Sequence, residues 1–391
     1  MMSDAERPLS VLVNATTLIK GGAVQVAASF INEAMRDATP EIKWFMVVSP
    51  QVAAEVHDKS AIVEVFEESP AKSKAARQQL LDAEQASMAD IVFTVFGPAY
   101  VKFTEPHLSG IADGWVTHSG WQAFRALGNP VRMLKSLMLV TYKAWWMRLA
   151  DFWVVEAEAA RQGMKRRLGI NPDKVAVVSN TCARAFIEEP REAARLPQPG
   201  ETLRLLYLSS FYKHKNVGII PKVAAALKQL RPELQFEFVL TLPENEGDWS
   251  RIKSAADSLG VGANLTNAGP IAAADAPALY KRCHIAFMPS LLETFSANYP
   301  EAMATGRPLV ASDLGFAHNC CGDAASYFEA ESPQAAAEQI VALIEDEARW
   351  NAQIEAGFAR LAELPDAHTR YSEYTKLILQ LGRESSTEVS V

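Results

Sequence analysis

The chain is 391 residues long, 49% hydrophobic and 21% charged, with 38 Lys and Arg against 46 Asp and Glu for a net charge of −8. That length exceeds what one hydrophobic core supports, so two domains are expected, and the composition excludes a disordered or fibrous protein. The acidic balance excludes a general nucleic-acid binder, because neutralising phosphates requires a basic domain or stripe.

The N-terminal MMSDAERPLSVLV fits neither a signal peptide nor a membrane anchor, and no segment has the roughly 18 uncharged apolar residues that a spanning helix needs. Cys182, Cys283, Cys320 and Cys321 form no CxxC pair and read as reduced thiols. A cytoplasmic protein is expected.

In chain order, β-like runs (SVLVNA, KWFMVVS, DIVFTVF, DFWVVE, KVAVVS) alternate with helical patterns such as GAVQVAASFINEAMRD and AARQGMKRRLG, which predicts βαβ units around a parallel sheet. A charged, Pro- and Ala-rich stretch at about residues 188–201 reads as a linker. The alternation then restarts with LRLLYLSS, a helix from NVGIIPKVAAALKQL, FEFVLTL, a helix from DWSRIKSAADSLG, NLTNAG, a helix from DAPALYKRC, and HIAFMPS. Further helices follow from SPQAAAEQIVALIEDEARW onward. The predicted domains are residues 1–190, 191–365, and a last segment 366–391 whose helix crosses back to the first domain and whose end frays. Both are α/β, doubly wound and Rossmann-like, facing a cleft at the carboxyl ends of their strands.

Within PSLLETFSANYPEAMATGRPLVASD, Glu293 and Glu301 stand eight positions apart among prolines that argue against one continuous helix. As solvated charges at the ends of a short helix they would need no further explanation. A nucleotide sugar offers the alternative: carboxylates accept paired hydroxyl protons from a hexose or ribose and repel a diphosphate, so two of them should flank the phosphates. Phe295, Ser296, Ala297 and Asn298 lie between, small enough in the middle for backbone N–H groups to approach phosphate oxygens.

This stretch resembles the E-x7-E motif of the retaining GT-B glycosyltransferases grouped as family 4. The resemblance implies that Glu293 contacts the donor sugar and Glu301 the ribose. LYLSSFYKHKNVGII resembles the family's first donor-domain strand and loop, which gives Lys215 the diphosphate. The stretch ending in Asn180 resembles the approach to the domain junction, and the segment around Gly269 resembles the surroundings of the base. Ser210 stands where many members have an arginine, so Lys213 and His214 are the nearby substitutes. Thr294-Phe295-Ser296 replaces a Gly-Phe-Gly.

In the first half, Gly21 and Gly22 permit a tight turn with close ligand approach at a helix start, and the resemblance implies a place beside the donor phosphates or acceptor. Asp113 falls where relatives have the aspartate of a His-Asp pair, Ala112 replaces the histidine, and His107 and His118 are the alternatives. Residues 131–153 place Arg132, Lys135 and Lys143 near one face of an apolar helix. That pattern fits a core helix, which is the favoured reading, or peripheral contact with an anionic membrane.

The expectation is therefore a metal-independent hexosyltransferase without a cofactor. It would use a nucleoside-diphosphate sugar and a glycan or lipid-linked acceptor in bacterial surface-polysaccharide (O-antigen or capsule) assembly. A nucleotide-sugar epimerase of the same fold and a non-catalytic nucleotide-sugar binder are the alternatives.

Overall fold

The computed structural model describes residues 7–37, 39–188, 190–209, 211–244 and 247–388. By internal packing it divides into two units. The first comprises residues up to His118, Leu134–Asn180 and Pro365 onward; the second comprises Ser119–Met133 and Thr181–Leu364.

The first unit holds β1 (Leu9–Ala15), β2 (Ile42–Val48), β3 (Ile62–Val65), β4 (Ile91–Thr94), β5 (His107–Ile111), β6 (Phe152–Val155) and β7 (Val175–Val177). They form one sheet in the order β3-β2-β1-β4-β5-β6-β7, with every pair parallel. Parallel strands need crossovers that cover both faces, which is why the strands read as nearly continuous apolar runs. Val11, Val13 and Phe93 pack on one face and Leu12, Val47 and Val92 on the other. The helix Ala367–Glu388 belongs to this unit: Tyr371 meets Phe30 at 5.5 Å and Tyr374 meets Phe93 at 5.3 Å. On the same helix Arg370, 4% exposed, donates to Asn180 and to Ser29 (3.0 Å), while Asn180 donates to Glu156 at 2.6 Å. Gly382 sits on Leu9, where a Cβ would come within 2.6 Å of its side chain.

The second unit holds β8 (Leu203–Tyr207), β9 (Phe236–Leu240), β10 (Leu265–Asn267), β11 (Ile285–Met288), β12 (Leu309–Ser312) and β13 (Ala325–Phe328). Their order is β10-β9-β8-β11-β12-β13, again wholly parallel. Phe238, Phe287 and Phe328 stack through its core at ring separations of 5.5 and 5.6 Å.

Four strands escaped the sequence reading: β3, β5, β12 and β13. IVEV in β3 is interrupted by a glutamate, and HLSGI in β5 lacks the usual β-branched run. The expected linker is also packed structure. Ala194 N–H donates to Gly306 O (2.9 Å) and the buried Trp350 indole donates to Ala194 O (2.6 Å), so this stretch lies against the second unit. The units part at Asn180/Thr181, before the predicted boundary at 190/191, because the segment Thr181–Glu188 already packs with the second unit through Cys182 and Phe186.

Candidate functional site

In an open parallel sheet the ligand crevice lies beyond the carboxyl ends of the strands where the strand order reverses. In the second unit that point is between β8 and β11. The chain leaving β8 makes a short turn at Lys213–Lys215, closed by Asn216 at φ 54, and the chain leaving β11 runs through Pro289–Asn298. The two loops are stitched together: Leu291 N–H donates to His214 O at 2.7 Å, and the Asn298 amide donates to Leu208 O. This brings Lys215 Nζ to 2.6 Å from Glu293 Oε1, with both side chains largely buried. A cation and a carboxylate that are far apart in the sequence thus share one point at the switch.

Glu301 lies in the first turn of the helix Asn298–Ala304, and Tyr280 donates its hydroxyl to Oε2 at 3.2 Å. Burial pushes the Glu301 carboxyl up to about 7, against the smaller opposing pulls of the Tyr280 hydrogen bond and the Lys215 charge. It is therefore poised to titrate near neutrality, unlike a solvated surface glutamate. Tyr280 was missed by the sequence reading. It sits in an ordinary amphipathic helix, Ala276–Lys281, and only the fold aims its hydroxyl at Glu301.

Of the remaining donor-side residues, Ser296 is buried, Phe295 packs on the cluster around Tyr299 and Met303, and Ala297 occupies the turn before the helix. Neither Thr294 nor Ser296 has a positive φ, so the side chains that replace the family's glycines impose no backbone strain here. Gly269 follows β10 with φ 73, a conformation that favours glycine, and open space lies before its Cα. Ser210 lies outside the described residues. The Lys213 ammonium lies 5.2 Å over the Phe211 ring, with the Arg251 guanidinium 5.5 Å over the same ring. Burial and then the charges of Arg251 and Arg132 push the lysine pKa down. Cys182 near Glu301 is inert, since burial raises its thiol to about 12.

In the first unit the strand order reverses between β1 and β4. The loop after β1 ends at Gly21, with φ 72, which leads into the 15-residue helix Gly22–Arg36; open space surrounds the Cα of Gly21 and of Gly22. Thr17 donates to Phe96 O at 3.4 Å and ties this loop to the one after β4.

Asp113 and His107 are committed to other partners here. Asp113 is not half of a histidine pair: Oδ1 caps Trp115 N–H at 3.0 Å and Oδ2 takes Lys143 Nζ at 2.8 Å. Burial pulls the Lys143 pKa down, but the adjoining Asp113 outweighs it and the net shift is upward. Lys143 is thereby withdrawn from the basic face that the sequence suggested. His107 opens β5 inside the sheet, with Nε2 2.8 Å from Thr94 Oγ1 and the ring edge-on to Phe103. Burial drives its pKa down to about 3, so it stays neutral and serves the core. His118 ends the short helix Gly114–Thr117, its Nδ1 2.8 Å from the Thr117 hydroxyl.

The helix Pro130–Met147 buries only Ala144 and Met147, so the core reading favoured from its sequence is also overturned. Val131, Leu134, Met138, Tyr142 and Trp145 form an exposed apolar stripe at spacings of three and four residues, and exposed Arg132 and Lys135 sit beside it.

Two parallel-sheet α/β units of this kind, with a charged site at a strand-order reversal, define the GT-B class of architecture. The chain superimposes on HepE from Anabaena in complex with UDP (TM-score 0.71, 16% identity, covering 95% of this chain and 100% of that one). It is equally similar to a glycosyltransferase from Rickettsia africae (TM-score 0.70, 15% identity, 96% and 98%). At the level of family, residues 188–360 match the model described as glycosyl transferases group 1. The chain is also similar to D-inositol 3-phosphate glycosyltransferase 1 of Catenulispora acidiphila, 28% identical over 166 residues, which are 41% of this chain and 40% of that protein. The chain spans half or less of the length of the curated relatives it matches. These matches support a glycosyltransferase, and the family match covers the Lys215, Glu293 and Glu301 constellation.

Proposed function

We propose that the chain is a retaining, metal-independent glycosyltransferase of the E-x7-E kind that moves a hexose from a nucleoside-diphosphate sugar to an acceptor hydroxyl. The observation that carries this reading is the meeting of Lys215 and Glu293 at the β8–β11 switch point, with half-buried Glu301 beyond it. In the donor complex Lys215 turns from Glu293 to the diphosphate, Glu293 accepts sugar hydroxyls, and Glu301 accepts the ribose diol. The anomeric C–O bond to the diphosphate breaks as the acceptor oxygen bonds to the same face, and the acceptor proton passes to the departing diphosphate oxygen. No protein base is required, which agrees with Asp113 and His107 being committed elsewhere. The protein contributes positioning and electrostatic stabilisation. The UDP complex of HepE makes UDP-sugars the first donors to test.

The acceptor belongs to a lipid-linked glycan of surface-polysaccharide assembly, and the stripe Val131, Leu134, Met138, Tyr142 and Trp145 meets the membrane that carries it, with Arg132 and Lys135 toward anionic headgroups. No helix among the described residues is long and apolar enough to cross a membrane.

The test has two arms. A thermal-shift screen of UDP, GDP, TDP and their sugars should show one base preferred; no shift with any nucleotide would sink the reading. Glu293→Ala should then abolish transfer while retaining nucleotide binding. Sedimentation with anionic vesicles should lose its pellet in Leu134→Glu/Met138→Glu, and unchanged pelleting would remove the membrane contact.

A further inference from the structure

β8 ends at Tyr207, which is only 3% exposed and whose ring belongs to the core of the second sheet. Its hydroxyl is buried and makes no hydrogen bond among the described residues. Burial pushes the phenol pKa up, and the nearby Glu293 charge adds to the rise; Ser209 lies close enough to draw it back a little, but no hydrogen bond of ordinary geometry joins the two hydroxyls. The phenol therefore stays protonated and can both donate and accept. A hydroxyl removed from water and left unpartnered lowers stability, and a phenylalanine would fill the same core without that penalty. The fold alone gives this oxygen no purpose.

Its surroundings do. Tyr207 lines a small cavity at the β8–β11 switch together with Lys215, Ser290, Ser296 and Asn298. The cavity measures about 10 Å³, which is room for one head group the size of a water and not for a ligand. The Asn298 amide is already committed to Leu208 O. Lys215 is the cation of the lining, and its Nζ lies 2.6 Å from Glu293, the same carboxylate that bears on the Tyr207 phenol. An ammonium has three N–H donors, so a lysine that turns to a phosphate still has one to give to a second acceptor.

We infer that the Tyr207 oxygen accepts an N–H of Lys215 when the lysine turns from Glu293 to the donor's diphosphate, which makes Tyr207 a positioning residue that acts through Lys215. The inference rests on the donor site proposed above. The ammonium then keeps two protons for phosphate oxygens and is held in one place, where a lysine on its flexible four-carbon stem would otherwise wander. The phenol keeps its own proton throughout.

Tyr207→Phe tests this by thermal melting and by calorimetry with UDP. Without nucleotide the variant should melt no lower than wild type, since it loses only an unpartnered hydroxyl. UDP affinity should fall about tenfold, the effect of one hydrogen bond to a charged group. In a Lys215→Ala background the same change should cause no further loss. The inference is overturned if Tyr207→Phe binds UDP as wild type does, if it weakens UDP equally in the Lys215→Ala background, or if it melts clearly lower without nucleotide, which would assign the hydroxyl to the fold. Should Lys215→Ala itself leave UDP affinity intact, the donor-site reading falls and this inference with it; should Lys215→Ala weaken UDP while Tyr207→Phe does not, only the role of Tyr207 falls.

Discussion

Replacing Glu301 by glutamine should make the protein more stable and the enzyme worse. Glu301 is half-buried, and its carboxyl pKa is raised from an ordinary value near 4.5 to about 7, principally by loss of water. Between those pH values the folded chain holds a proton that the unfolded chain has released. This group's contribution to stability therefore falls as pH rises through that window, and its full cost is present above pH 7, roughly 3 kcal/mol by linkage. Glutamine keeps an acceptor for the Tyr280 hydroxyl and never ionises. In urea unfolding, wild type and Glu301→Gln should be similar near pH 5, and the variant should gain by up to roughly 3 kcal/mol by pH 8. Donor binding should move the other way: wild-type UDP affinity should weaken about tenfold from pH 8 to 6 as the carboxylate that accepts the diol protonates, and the variant should bind weakly with no such slope. A stability difference that is independent of pH would refute the reasoning, because the burial penalty would then not be electrostatic.

Three further outcomes follow from the same geometry. Lys215→Ala should lower kcat/KM by about 10²–10³, corresponding to the loss of a preorganised cation at a departing diphosphate, and a change below fivefold would remove Lys215 from that role. His107→Gln should leave the pH–rate profile unchanged, because the wild-type imidazole, at about 3, stays neutral throughout the working range; its effect should appear only as an altered melting temperature. Transfer should proceed undiminished in EDTA, measured as release of UDP from the donor, and recovery only on adding a divalent cation would refute the metal-independent mechanism.

Much of the fold was legible because parallel strands buried on both faces announce themselves as apolar runs: SVLVNA, FEFVLTL and HIAFMPS lie where β1, β9 and β11 form. Glu293 and Glu301 could be singled out by the resemblance of their stretch to an E-x7-E motif, since their spacing alone fits two solvated charges equally well. What the sequence hid was directional. His107 reads as an alternative partner for Asp113 until β5 inserts it between β4 and β6. Lys143 reads as part of a basic face until the turn at Asp113 reaches it. Tyr280 carries no local signature, since its partner Glu301 lies about twenty residues away in sequence and meets it only in the folded chain.

The pairing of Lys215 with Glu293 also bears on what the site releases. In the proposed donor site each is the other's stand-in ligand: the carboxylate would occupy the place of a phosphate, and the ammonium that of sugar hydroxyls. An intact sugar nucleotide replaces both halves of the pair at once. A bare nucleotide would claim the lysine and leave the glutamate, largely buried, facing neither cation nor hydroxyls. Re-formation of the pair therefore competes with the spent nucleotide more effectively than with the intact donor, so the same two side chains that assemble the reaction would help to clear its product.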